Sequence, residues 1–473
     1  MTEGGRALLG RAWGAVRAPG VRWAWWAAGI GIFLGVRWLA GGTMAADAAF
    51  SLGVLAGAAF LWATNSLPLP VTGVLVIFLL GFGKGEFVRS SYQAFGSEAV
   101  FFILGAFMLA SPVMRSGLSK RVALWVMTHF GKTKRTLVGS ILVTAAGLSL
   151  FISEHVVVAM LLPIVREVLE ATGARRQGRF AVGVLLALAW GAVIGGTGTL
   201  LGGARGALAL GVLDKVSGAH ISFAEWMSWN LPNVAALLAI GGLLALLLVR
   251  GQQVPLGRAR EQLRRDAAAM GPVSSREKRT AAILLGTVLL WILVGETWGL
   301  DTVAFLGVLA AFLFQVASWR EVEEDVNWGI FLMYASAIAL GQVLVSTGAA
   351  AALADGLVRP AGMAPAATLA VVAVVAGGLT EAMSNTAAVA VLMPVALALA
   401  QKVGLDPRAA TMAVATPAGL AFLLPASTPA IAMVAGTGYV SMKQILARGL
   451  LLKLVSIPVF LLVAWLWWPL VMR

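Results

Sequence analysis

Long apolar runs alternate along this chain with short polar connectors, and most of the runs have the length of one bilayer crossing. They occupy residues 23–40, 46–63, 67–83, 98–114, 180–214, 230–249, 280–297, 302–318, 328–346, 407–437 and 449–472. A helix rises about 1.5 Å per residue, so roughly 20 residues cross ~30 Å of hydrocarbon. The runs at 180–214 and 407–437 are too long for one simple helix. Gly, Pro, Ser and Thr interrupt both, as "GGTGTLLGGARG" at 195–206 and "LLPASTPAIAMVAGTG" at 423–438. Two broken helices are expected there.

Residues 136–170 pose another length problem. As one helix they would run ~52 Å, yet both flanks are basic, with Lys132, Lys134 and Arg135 before and Arg175, Arg176 and Arg179 after. Basic flanks stay cytoplasmic, so the segment enters and returns as a re-entrant hairpin that turns near "SEH" at 153–155. Backbone that leaves helical pairing at that depth must be buried in protein or line an aqueous cavity.

The same pattern returns downstream. Sliding the chain by 231 residues aligns Ser116-Gly117 with Thr347-Gly348, Ser149 with Thr380, Ser153 with Ser384, Pro163 with Pro394 and Thr197 with Thr428. After a gap, "ISFAEWMSWNLP" at 221–232 corresponds to "VSMKQILARGLL" at 440–451. The expected organisation is a basic tail and first span (1–44), a first repeat (45–249), a polar linker (250–278) and a second repeat (279–473). The hairpins fall at about 136–170 and 366–401, the broken helices at about 180–214 and 407–437. Matched connectors differ in charge: residues 115–135 hold six Lys/Arg and no acid, whereas 346–365 hold one Arg and one Asp. The first connector is therefore inside and the second outside, and the repeats are inverted. The fold class is an all-α polytopic membrane protein of inverted-topology repeats, each with a re-entrant hairpin and a broken helix.

Composition agrees with this and narrows the chemistry. With 60% hydrophobic and 12% charged residues, a soluble fold would lack polar surface to cover its core. The absence of cysteine excludes disulfides, thiol catalysis and Cys-ligated metals, and three histidines make an all-histidine metal cage unsuitable. A net charge of +14 would suit nucleic acid, but the basic residues lie in short loops, where positive-inside topology explains them and no nucleic-acid partner is implied. The basic lead and long apolar body of the N-terminus read as an uncleaved signal anchor with its start in the cytoplasm, in a bacterial inner membrane.

The hairpin tips, "SEH" and "SNT" at 384–386, together with the glycine- and proline-rich breaks, resemble the divalent anion/sodium symporter family of dicarboxylate, citrate and sulfate transporters. "SNTAAVAVLMP" and "FLLPASTPAIAMVAGTG" carry the resemblance, with "LPLPVTGVLVIFLLG" at 67–81 in support. It implies a homodimer in lipid, with a scaffold domain and a transport domain of hairpins and broken helices that moves as an elevator. "SKRVALWVMTHFGKTK" resembles the family's interfacial connecting helix.

Carried over by position, the resemblance puts Thr380, Ser384, Asn385 and Ser427 around sodium. It puts Ser384, Asn385, Thr386 and Thr428 against a substrate carboxylate. In the first half Ser149, Ser153 and Gly202 keep sodium-type positions. There, however, Glu154 and His155 stand where the family has Asn and Thr, and Gly203-Ala204-Arg205-Gly206 replaces a Ser/Thr-Pro-Pro-Asn run. The substrate set is thus Ser153, Glu154, His155, Gly203, Arg205, Ser384, Asn385, Thr386 and Thr428. A charge at mid-membrane costs ~2.5–3.5 kcal/mol even on the lenient insertion scale, so Glu154 and Arg205 need partners. Glu154 could ligate a first sodium, carry a proton in its place, or pair with Arg205 and replace the cation, while His155 could donate to an anion.

The expected function is secondary transport of a small di- or tricarboxylate with at least one Na⁺ and no organic cofactor. The alternatives are sulfate or another oxyanion, or a cation-independent or proton-coupled exchanger. Ser/Thr and small residues also pack membrane helices closely, but chance packing would not place polar tips in both halves at one offset. Ser153, Glu154 and His155 hold nucleophile, acid and base types, yet neighbours in a tight turn usually point apart. No G-x-S-x-G, H-E-x-x-H or nucleotide-binding loop occurs, so no enzyme is expected. Saturable, gradient-driven uptake would separate a carrier from a channel.

Overall fold

The computed structural model describes residues 19–83, 85–358 and 364–472. The basic tail up to residue 18 lies outside them. Among the described residues the regular structure is helical, and nine helices are long and apolar enough to cross a membrane. Their outward faces carry exposed Leu285, Leu454 and Trp465, as lipid contact requires.

Each repeat contains its hairpin. The first consists of Lys134–Ser149 and Glu154–Ala171. The second consists of Pro365–Ala382 and Asn385–Val403. The capping box at Thr133 starts the first hairpin. Its return helix begins at the tip with Ser153 as N-cap, and Ser384 holds the same place in the second. Each return helix contains a proline, Pro163 and Pro394, at the repeat-related position.

The long runs are broken. Arg179–Gly195 stops and the chain resumes as Ala204–Ser217; Pro407–Ala418 stops and resumes as Pro429–Gly436. Every residue from Phe180 to Gly195 is buried, which makes this half-helix the centre of its repeat. The breaks pair differently from the ungapped register. Gly203 and Thr428 are the N-caps of the resuming half-helices, so Thr428 corresponds to Gly203 rather than to Thr197. The first half-helices have 17 and 12 residues, and that difference shifts everything downstream of them. Register returns at Ser222 and Ser441, each closing a capping box on the residue three positions on.

Two buried apolar clusters divide the interior. One gathers most of the first hairpin, Arg179–Gly195 and the segment after the second break. The other gathers the spans before residue 110, the helices around Trp328–Ser346 and the return helix of the second hairpin. Phe223–Val249 reaches the first break and the half-helix before the second: Trp226 donates its indole N–H to Thr197 C=O (3.3 Å), and Asn230 Oδ1 accepts the Thr416 hydroxyl (2.8 Å). On the connector side, Arg121 of helix Leu118–Phe130 donates to Met270, Gly271 and Pro272 carbonyls and to Glu277, which fixes the linker against that helix.

Candidate functional site

The two tips meet. Glu154, first residue of the return helix in the first hairpin, accepts the Thr428 hydroxyl on Oε1 at 2.7 Å. The same oxygen lies 3.5 Å from the amide of Asn385, first residue of the return helix in the second hairpin. Its Oε2 lies 3.4 Å from Arg205 Nη1, and Glu154 and Arg205 are 5% and 4% exposed, so the pair is formed away from water. A cavity of about 440 Å³ opens beside this contact. All nine residues of the expected substrate set line it: Ser153, Glu154, His155, Gly203, Arg205, Ser384, Asn385, Thr386 and Thr428. Phe107, Ile330 and Met333 supply an apolar wall on the facing side.

Four helix N-termini point their first residues at this space, those beginning at Glu154, Ala204, Asn385 and Pro429. Each contributes a partial positive charge of up to roughly +0.5. Together they favour an anion, as half-helices do in transporters of this architecture. The guanidinium of Arg205 adds a full charge. It fits because Gly419 leaves room: a Cβ there would stand 2.2 Å from Arg205 Nε.

Behind the second tip lies a different kind of cluster. One terminal atom of the Asn385 amide is 2.7 Å from Thr380 Oγ1, 3.2 Å from Ser427 C=O and 3.3 Å from Ala418 C=O, while the other faces Glu154. The amide can be turned two ways. With nitrogen among the three oxygens it donates to them and leaves its own oxygen against the Glu154 carboxylate. With oxygen among them, Nδ2 donates to Glu154 and four oxygens converge, an arrangement that a hard cation satisfies. Thr380 Oγ1 also donates to Ala418 C=O at 2.7 Å. Ser427 contributes its carbonyl, since its hydroxyl turns to Leu424 C=O, and the Ser384 hydroxyl caps Ala387 N–H instead of joining the cluster.

The first-half set does not assemble in this way. Gly202 C=O accepts Glu154 N–H at 3.3 Å, the Glu154 carboxylate faces Arg205, and Ser153 Oγ lies 3.4 Å from His155 Nε2. Ser149 is fully buried, with its hydroxyl unpartnered. The Glu154 carboxylate faces a guanidinium here, not a ring of neutral oxygens. The Ser153–His155 approach also differs from the expectation that these side chains point apart, because Ser153 is the extended N-cap and not part of the helix that carries His155.

Residues 26–473 match the sodium:sulfate symporter transmembrane region. The chain belongs to that family. It is 27% identical over 444 residues to the sodium-dependent dicarboxylate transporter SdcS of Staphylococcus saprophyticus, covering 88% of this chain and 85% of the relative. It is 26% identical over 438 residues to SdcS of Staphylococcus aureus strain USA300, covering 87% and 84%. In fold it is similar to the YdaH transporter of Alcanivorax borkumensis, whose crystal structure is described as having an unusual topology. That likeness has a TM-score of 0.56 at 15% identity, over 80% of this chain and 86% of the other. Membership makes the chain an integral membrane protein of a sodium-coupled anion transporter family.

One buried pair escaped the sequence reading. Both oxygens of Glu381 accept backbone N–H groups of the second break, Phe422 and Leu423, at 3.0 Å each. Lys453 Nζ stands 3.4 Å from Glu381 Oε1 and donates to Leu420 C=O. The pair pins the loop between Ala418 and Thr428, whose carbonyls and hydroxyl form the site. A lone lysine inside "GLLLKLVSIPVFLL" at 449–462 was the signal available, since an ionisable group in a span demands a partner.

Proposed function

We propose that the chain is a secondary active transporter of small di- and tricarboxylates, driven by Na⁺ held at the second repeat. The observation that carries this reading is the oxygen cluster of Thr380, Asn385, Ala418 and Ser427 directly behind an anion-suited cavity. A cation there selects the Asn385 orientation whose Nδ2 faces the cavity, so sodium binding presents a donor to the anion. The opposite orientation, with nitrogen among those oxygens, turns the amide oxygen to the cavity and repels a carboxylate. Sodium and substrate are thereby coupled through one side chain.

In the first repeat the Glu154–Arg205 pair supplies a fixed positive group where a second sodium would otherwise bind. We assign a single Na⁺, at the second half, to the transport step. The hairpins and broken helices form the moving body, and the helices that bear Phe107, Ile330 and Met333 form the wall it moves against, in an elevator-type cycle within a homodimer. The protein resides in a bacterial inner membrane with its N-terminus cytoplasmic, and it performs no covalent chemistry.

The test is uptake into proteoliposomes of succinate, citrate and sulfate, each with Na⁺, Li⁺ or choline outside. Saturable, Na⁺-dependent uptake of a carboxylate is expected. Sulfate as the sole substrate, or equal uptake in choline, would overturn the assignment.

A further inference from the structure

The donors that the second repeat turns toward the cavity are already taken, and the group taking them is a carboxylate of this same chain. Resting on the carboxylate-transport reading, we propose that Glu154 is a tethered competitor. Its carboxylate fills one anion subsite of the empty carrier, and a substrate carboxylate binds by displacing it from Thr428, Asn385 and Arg205.

The geometry of the pair supports displacement. A well-matched guanidinium and carboxylate form two parallel bonds of about 2.7–2.9 Å. Glu154 reaches Arg205 with one oxygen at 3.4 Å, because its other oxygen is committed to Thr428 at 2.7 Å. Arg205 Nη2 consequently stays buried without a hydrogen-bond partner. A free carboxylate is not tied to the backbone at position 154. It can engage both guanidinium nitrogens, whereas Glu154 spans two partners and completes only one.

Burial explains why a competitor is kept at all. Arg205 is 4% exposed and would be an uncompensated charge in the empty carrier. Glu154 neutralises it until substrate arrives. The same negative charge lies 3.5 Å from the Asn385 amide and favours the orientation that admits sodium over the one that turns the amide oxygen to the carboxylate. Glu154 therefore weakens the binding of substrate and supports the binding of Na⁺ in its absence.

Those two effects have opposite signs, and simple loss of structure would not produce both. Succinate and Na⁺ dissociation constants are measured on purified full-length protein. Glu154→Gln is expected to tighten succinate about tenfold, on the scale of a hydrogen bond to a charged group, and to weaken substrate-free Na⁺ binding. Glu154→Asp keeps the charge beside Arg205 but falls a methylene short of Thr428. It should also tighten succinate, and it should weaken Na⁺ binding less than Glu154→Gln does, because the negative charge remains. If Glu154→Gln does not fold, the aspartate variant decides. Wild-type succinate binding with neither variant tighter overturns the proposal, as does a shift of both constants in the weakening direction. If the wild type binds no carboxylate, the function reading fails instead. The tethered anion then stands or falls on whether Glu154→Gln weakens Na⁺ binding.

Discussion

Glu154 and Thr428 lie 274 positions apart in sequence and 2.7 Å apart in space, joined by a hydrogen bond that closes the two repeats onto one cavity. The bond runs from the N-cap of a half-helix in the second repeat to the first residue of the return helix in the first. Removing the hydroxyl should be felt twice. Thr428→Val leaves a buried carboxylate short of a donor, which costs about 1–3 kcal/mol, and removes a group from the anion subsite. Thermal unfolding in detergent should show a lower midpoint, and succinate uptake a higher KM.

Gly419 is the seat of the Arg205 guanidinium. A methyl at that position would lie 2.2 Å from Nε and 2.5 Å from Cζ, so Gly419→Ala must push the side chain out of its place. Uptake should fall at least tenfold. Expression and midpoint should change less, because Gly419 lies just past a helix end, where the chain can give a few tenths of an ångström. Uptake at wild-type rates would show that the guanidinium has no role in the site.

Glu381 and Lys453 should behave as one unit. Breaking a buried pair from one side leaves an unpaired charge and costs about 3–5 kcal/mol, whereas removing both partners together costs far less. Glu381→Gln and Lys453→Met are each expected to destabilise strongly. The double variant should recover most of the midpoint but not the uptake, since Phe422 and Leu423 lose their charged acceptor. Full additivity of the two single effects would contradict the coupling.

Much of this architecture was legible beforehand, for reasons that have little to do with local propensity. Basic flanks on both sides of 136–170 forced a return, and an inverted copy then located the second hairpin and both tips. What escaped was set by tertiary contact. Ala418 enters the oxygen cluster through its carbonyl, which any residue possesses, so no side-chain pattern marks it. Lys453 was visible as an isolated charge, but nothing in the spacing joins it to Glu381 across the second break. The Thr197–Thr428 match failed because the half-helix before the break is shorter in the second repeat, 12 residues against 17, and an ungapped comparison cannot register that loss.

At the polar connectors a pH effect is expected with a definite sign. Arg276, 2.8 Å from Glu321, together with the Ser318 cap holds that carboxyl at about 2, below its usual range. A depressed carboxylate contributes stability that is fully present above its unfolded value near 4.5 and is lost as pH falls toward 2. Arg276→Gln should lower the unfolding midpoint at pH 7. The gap from wild type should close as pH drops below 4.5, and a gap that widens there would contradict the assignment.

The central claim is that the second-repeat tip holds sodium and so prepares the cavity for an anion. Binding of radiolabelled Na⁺ to purified protein tests it most directly, with wild type, Asn385→Ala and Thr380→Val compared at constant ionic strength in choline. Wild type should bind saturably, with displacement by unlabelled Na⁺ and not by K⁺, and both variants should lose that binding while remaining folded. Equal binding by Asn385→Ala and wild type, or none by the wild type, would contradict the account.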